Sequence, residues 1–288
     1  MDKIQALTTV LEKYYDKFPV SKDLSDAILY SLLGGGKRIR PIILLDLLEA
    51  LSYPITEEYL KIAAAIEMIH TGSLIHDDLP AMDNDYYRRG RLTNHKKFDE
   101  ATAILAGDSL FLDPFGLIAE AEIPDRIKVS LIKELSYASG TYGMVGGQML
   151  DMKAEGKKLS IESLQAIHKN KTGQLLCYPF LAAAIISDLS NDYTAVFVEM
   201  GQLVGLAFQI RDDILDITAD FANLGKTPKK DILAEKLTYP SLIGLDKSYD
   251  LLNRSLDKAL DICSNLEESI TFESSKVRQL IEGLRLNA

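Results

Sequence analysis

"EEYLKIAAAIEMIHTGSLIHDDLPAMDNDYYRRGR" runs from Glu57 to Arg91. Its first part is apolar at Leu60, Ala63, Ala64, Met68 and Ile75, close to the 3.6-residue period of a helix. Thr56, followed by two glutamates, marks a helix start. The end of the stretch is different. Asp77, Asp78, Asp83 and Asp85 fall within nine residues, and Arg88, Arg89 and Arg91 follow at once. Carboxylates massed at the end of an apolar helix repel one another, so they must be protonated or bound to cations.

The same helical period extends outward in both directions. Helices are predicted over about 3–17, 22–33, 41–52, 98–121, 126–154, 161–187, 191–219, 239–263 and 266–285. Runs of alternating β-branched residues are missing. Turn signals sit between the helices, at "GGGK" (34–37), "EIPD" (122–125), "AEGKKLS" (154–160) and "ANLGKTPKKD" (222–231). Neither a long linker nor a fixed repeat divides the chain. The expectation is all-α: one domain over 1–288 with about ten helices.

Composition narrows the function. The 47% hydrophobic and 26% charged fractions are those of a globular protein with a sizeable core. A net charge of −10 argues against general nucleic-acid binding, which needs a basic footprint. The longest apolar run, Leu175 to Ile186, contains Pro179 and is too short to span a bilayer. The two cysteines, Cys177 and Cys263, lie in apolar helical patterns and read as buried thiols in a reducing compartment. With no apolar signal core near residue 1, a cytoplasmic location and no membrane span are expected.

A second acidic cluster, Asp212-Asp213-Ile-Leu-Asp216, echoes the first. Asp212 and Asp216 are i and i+4 and share a helix face. Asp77 and Asp83 cannot do so unaided, because Pro80 disrupts the helix. The intervening residues must bulge for Asp83 to rejoin Asp77. One such cluster is more often a solvated helix end than a site; two, each behind apolar residues, point to hard divalent cations. Mg²⁺ takes one or two carboxylates per ion and fills its shell with water and substrate phosphates. Neither an EF-hand nor a Walker loop is present.

Cations for a polyphosphate accompany the acids. "GGGKRIRP" (34–41) carries Lys37, Arg38 and Arg40 on a turn that enters a helix, and Arg88 and Arg89 follow the first acidic motif. Paired guanidinium hydrogen bonds suit phosphate oxygens. His70 lies two turns before Asp77 on the same face. Lys171, Thr172 and Lys226 add donors, although each alone reads as a surface residue. Ser–His or Cys–His nucleophile arrangements are not evident.

These blocks together, with "NHKKFDEATAILAGD", "GMVGGQMLDM", "IHKNKTGQLL", "GLAFQIRDDILD", "LGK" and "KLTYPSLIGL", resemble the bacterial trans-isoprenyl diphosphate synthase family, on the side of its farnesyl diphosphate synthases. The resemblance covers nearly the whole chain. It implies the all-α isoprenoid synthase fold around a central cavity, a homodimer and three Mg²⁺ ions, with Mn²⁺ as a substitute. It implies condensation of isopentenyl diphosphate with an allylic diphosphate (dimethylallyl or geranyl) by ionisation, condensation and elimination. Asp77, Asp78, Asp83 and Asp212 would hold the ions, supported by Asp213 and Asp216. Arg88, Lys171, Thr172, Gln209 and Lys226 would hold the allylic diphosphate. Lys37, Arg40, His70 and Arg89 would hold isopentenyl diphosphate, and Gln148 and Asp151 would line the site.

One position departs from the family. An aromatic residue usually stands five before the first aspartate and closes the tunnel that receives the growing chain; here it is Gly72, followed by Ser73. Either the tunnel is deeper, allowing C20 products, or Phe111 or Phe115 fills the gap and keeps the product at C15. Lys229 also replaces a usual glycine, and Pro179 predicts a kink. A terpene cyclase would not need the second acidic motif or the second set of phosphate cations. A non-catalytic subunit of a heteromeric synthase should have lost some of these residues.

Overall fold

A computed structural model describes residues 2–17, 20–154, 156–157, 159–218 and 238–286. The regular elements among the described residues are helices apart from one ribbon of two short strands, so the all-α expectation holds. They divide into two compact units: Met1–Leu45 with Ile55–Ile132, and Asp46–Pro54 with Lys133–Ala288.

The first unit is built on α4 (Glu57–Asp77). Thr56 caps it by accepting from the Tyr59 N–H, and Glu57 and Glu58 occupy its positive first turn. Buried residues occur all around this helix, including Leu60, Ile62, Ala63–Ala65, Ile66, Met68 and Ile69, which is the signature of a central core helix. On it pack α1 (Lys3–Tyr15), α2 (Lys22–Leu32) and α6 (Glu100–Ala119), with α5 (Asn94–Lys97) against α6 and α2; the start of α3 (Ile39–Ala50) belongs to the same unit. Leu7, Leu11, Ile28 and Leu32 are fully buried there, each contributing about 1.5–3 kcal/mol of transfer free energy.

α6 packs along α4 at a pair of glycines. A Cβ on Gly107 would lie 2.1 Å from His76 Nε2, and one on Gly72 would lie 3.0 Å from Leu110 Cβ. Between the two helices, β1 (Tyr87–Arg88) pairs antiparallel with β2 (Arg91–Leu92). Arg89 and Gly90 both have positive φ, 52° and 74°, the backbone that a two-residue hairpin turn requires. Two-residue strands carry no alternation, which is why the sequence pattern gave no sign of them.

The second unit contains the rest of the helices: α8 (Met144–Ala154), α9 (Ile161–His168), α10 (Gln174–Ile186), α11 (Asn191–Thr218), α12 (Tyr239–Ile243), α13 (Leu245–Ser269) and α14 (Ser275–Glu282); α7 (Asp125–Ser139) leads into it. Tyr178, Phe180, Phe197 and Tyr239 form its bulky core. α11 packs on α10 and α13, and Gly201 meets Cys177 and Phe180 where a Cβ would collide at 2.8–2.9 Å.

Three predicted helices are divided. The 126–154 stretch breaks between α7 and α8, where the chain folds so tightly that a Cβ on Gly143 would lie 2.1 Å from the Ala138 carbonyl. The 161–187 stretch contains a π-turn at Lys169–Gly173; the irregularity lies there, and α10 continues through Pro179. The 239–263 stretch opens with a capping box between Thr238 and Ser241 at the start of α12 and is broken at Gly244, whose φ is 87°. α6 and α11 have the length and apolarity of a membrane span, and each packs against helices of its own unit, α6 on α4 and α11 on α10 and α13.

Candidate active site

The first acidic motif begins where α4 ends. Pro80 cannot continue the helix, and Asp78 caps it with its N–H on the Leu74 carbonyl at 3.1 Å. The chain then loops back on itself. The Asp83 N–H donates to the Asp77 carbonyl at 2.8 Å, Asn84 to Leu79 at 3.1 Å, and Asp85 to Asp78 at 3.2 Å. Asn84 takes positive φ, 49°, which asparagine tolerates better than most residues. The bulge required by the spacing is present, and Asp83 returns beside Asp77. Thr93 Oγ1 donates to the Asp85 carbonyl at 2.7 Å, tying the loop to the hairpin.

Asp78, expected as an ion ligand, is held by Arg88. It is 3% exposed, and both of its carboxylate oxygens accept from Arg88: Nε at 2.9 and 3.0 Å, Nη2 at 2.6 Å. Burial raises its pKa, against the opposing pull of Arg88. The guanidinium lies on both oxygens, so Asp78 braces Arg88. Asp77 and Asp83 remain half-buried at the loop surface.

The charges of four arginines act on His70. Burial first, then the charges of Arg40, Arg89, Arg88 and Arg38, hold its imidazole well below the usual range, so it is neutral at pH 7. Arg89 Nη1 donates to the Gly35 carbonyl, and its guanidinium would lie 2.7 Å from a Cβ on Gly36. Lys37 is exposed and Arg40 half-buried. Arg38, which the sequence groups with them, is buried and paired with Glu67. That partner was missed in the motif reading; the clue was a lone carboxylate in the middle of an apolar helix.

Gly72 has a packing role. Its missing side chain lets α4 approach Leu110 and the Gly107 carbonyl. Leu110 stands against it. Phe111 meets the His76 ring edge-on, with centroids 5.4 Å apart. Ser73 Oγ donates to the His70 carbonyl at 2.8 Å.

In the second unit, the π-turn lies against α8 because Gly147 has no side chain; a Cβ there would fall 2.1 Å from Lys171 N. One turn along α8, Asp151 accepts from Lys171 Nζ at 2.6 Å. Thr172 and Gln148 are half-buried nearby in sequence. On α11, the Asp212 side chain is 42% exposed, whereas Asp213 and Asp216 are buried. Asp213 accepts from Gln209 Nε2 at 3.0 Å and from the Tyr239 N–H at 2.9 Å. Lys226 and Lys229 lie outside the described residues.

Among the described residues, no cluster of three or more His, Cys, Asp or Glu side chains is placed to hold a metal. That suits a hard ion taking one or two carboxylates and completing its shell with water and phosphate. The accessible carboxylates of Asp77, Asp83 and Asp212 are all-oxygen donors of that kind, so the residues fit magnesium.

The family described as polyprenyl synthetase matches residues 21–271. A farnesyl diphosphate synthase of Micrococcus luteus is 49% identical over 259 residues, covering 90% of this chain and 88% of that protein. A geranylgeranyl diphosphate synthase of Cyanophora paradoxa is 46% identical, covering 77% and 75%. Among solved structures, a geranyltransferase of Helicobacter pylori complexed with magnesium and isoprenyl diphosphate is 33% identical. It superposes with a TM-score of 0.88 over 98% of this chain and 95% of that one.

Proposed function

Because the chain belongs to the polyprenyl synthetase family, whose short-chain members are trans-prenyltransferases, we propose that it condenses isopentenyl diphosphate with dimethylallyl and geranyl diphosphate. The observation that carries this reading is the loop that returns Asp83 to Asp77 by a backbone hydrogen bond of 2.8 Å, beside a cluster of arginines.

The proposed roles divide by element. Asp77 and Asp83, and Asp212 on α11, would hold magnesium, which when bound neutralises charge on the departing diphosphate. Arg88, set by Asp78, grips the allylic diphosphate, together with Lys171, set by Asp151, and Thr172, Gln209 and Lys226. Lys37, Arg40, Arg89 and neutral His70 hold isopentenyl diphosphate. Fixed cations aimed at the leaving group lower the barrier to ionisation. The allylic C1–O bond breaks and diphosphate leaves with the electron pair. The isopentenyl double bond attacks C1 to form the new C–C bond. A proton is then lost from isopentenyl C2 to the diphosphate, which restores neutrality.

A single synthase domain over 1–288 accords with a family match that runs from 21 to 271. A homodimer accords with the outer face of α6, where Ile104, Leu105 and Leu112 are 44%, 55% and 70% exposed; exposed apolar surface of this kind marks interaction sites. A cytoplasmic location fits the two buried thiols. Both C15 and C20 products are proposed, since Gly72 brings no aromatic side chain toward the acidic motif.

Incubation with Mg²⁺, isopentenyl diphosphate and dimethylallyl, geranyl or farnesyl diphosphate tests the reading. Mass analysis of the products should show C15 and C20 diphosphates. Failure to incorporate isopentenyl units with any primer would sink it.

A further inference from the structure

Arg38 stands in the middle of the cationic loop and yet is withdrawn from it. It is 6% exposed, and its backbone is left-handed, with φ 50°. Its Nη1 meets Glu67 Oε1 at 2.5 Å, and its Nη2 donates to the Leu32 carbonyl at the end of α2. Glu67, on α4 and three residues before His70, is 2% exposed. A buried ion pair is a weak source of stability, because desolvation offsets the Coulombic gain. A left-handed backbone at a non-glycine residue is a further cost. The chain therefore keeps two costly features at one point, and neither is explained by packing alone.

Their common effect is position. Gly35 and Gly36, with φ of 87° and 122°, give the loop no side chains with which to fix itself. Arg38 pins it underneath, to α2 on one side and to α4 on the other. The pinned loop then supports Arg89, whose guanidinium rests on the Gly35 carbonyl. Burial holds the Arg89 guanidinium below its usual range, and the Glu67 carboxylate opposes that shift.

We propose that the buried Glu67–Arg38 pair is a positioning device for the isopentenyl diphosphate subsite, stapling the 34–40 loop to α4 so that Lys37, Arg40 and Arg89 converge beside His70. This rests on the assignment of that subsite above. The opposing possibility has the opposite sign. If Glu67 acted only as a negative charge, its removal would leave a more cationic cluster and tighten diphosphate binding.

Steady-state kinetics of Glu67→Gln separates the two. The staple predicts a KM for isopentenyl diphosphate raised by about tenfold or more, equivalent to roughly 1.4 kcal/mol. The KM for geranyl diphosphate and kcat should stay within about threefold, because uniform binding of one substrate has been lost. An unchanged or lower isopentenyl KM overturns the proposal, as does an equal rise for both substrates. Arg40→Ala is run alongside. A raised KM there with a normal value in Glu67→Gln overturns the staple alone; normal values in both overturn the subsite assignment and the staple with it. Because Glu67→Gln leaves a buried guanidinium unpaired, the double variant Arg38→Met/Glu67→Leu is also measured, since apolar pairs commonly replace buried ion pairs without loss of folding. A folded double variant, by circular dichroism, should keep the isopentenyl defect; a normal KM in it overturns the proposal.

Discussion

The Asp83 N–H donates to the Asp77 carbonyl across 2.8 Å, so a backbone hydrogen bond closes the first acidic loop. Exchange of a carboxylate for an amide leaves that bond in place. Asp77→Asn and Asp83→Asn should each keep the thermal midpoint close to wild type while lowering kcat by about 10²–10³-fold, the effect of losing a preorganised charge-stabilising group. Initial rates across a magnesium titration, with melting curves beside them, check this.

Asp78 should behave differently from its neighbours. Asp78→Ala removes the bidentate partner of Arg88 and leaves a partly buried guanidinium without its carboxylate. A stability loss of about 1–3 kcal/mol is expected, together with a raised KM for the allylic substrate. Urea denaturation and kinetics on the same preparation separate the two effects.

His168 gives a pH signature. Burial, assisted by Lys171 and opposed by Asp151, lowers its pKa from 6.5 to about 4. The folded state therefore stays neutral where the unfolded chain takes up a proton. Its contribution is intact above pH 6.5 and is lost as pH falls toward 4, at up to about 1.4 kcal/mol per pH unit. Since His70 shifts in the same direction, His168→Gln should flatten the slope without abolishing it. Urea midpoints at a series of pH values across this window measure it.

Gly72→Ala should cost about 1–3 kcal/mol through overpacking, because its Cβ would meet Leu110 at 3.0 Å and the Gly107 carbonyl at 3.2 Å. A larger Gly72→Tyr change should lower the melting temperature further. Product lengths from the Ala variant, compared with wild type, report whether the position governs chain length apart from stability.

Much of this architecture could be read from residue types and spacing. Helical periodicity located α4, α6 and α11, and Pro80 between Asp78 and Asp83 required the loop that is found. What escaped was backbone geometry set by tertiary contact. The hairpin at Arg88–Arg91 depends on two positive φ values, not on strand propensity. The π-turn at Lys169–Gly173 depends on Gly147 of another helix. Individual roles within charged clusters were likewise hidden. Arg38 and Arg40 look alike in "GGGKRIRP", and only burial beside Glu67 tells the structural guanidinium from its neighbour. That Leu110 of α6 is the residue packed closest to Gly72 was equally hidden, since it depends on the register between two helices.

The central claim is that ionisation of the allylic substrate is coupled to addition of an isopentenyl unit. It is tested most directly by measuring diphosphate release and labelled isopentenyl incorporation in the same reaction, with Mg²⁺ and geranyl diphosphate. The account predicts one diphosphate released per isopentenyl unit added, and no sustained release when isopentenyl diphosphate is omitted. Diphosphate release that continues without incorporation would mean hydrolysis or cyclisation, and would contradict it.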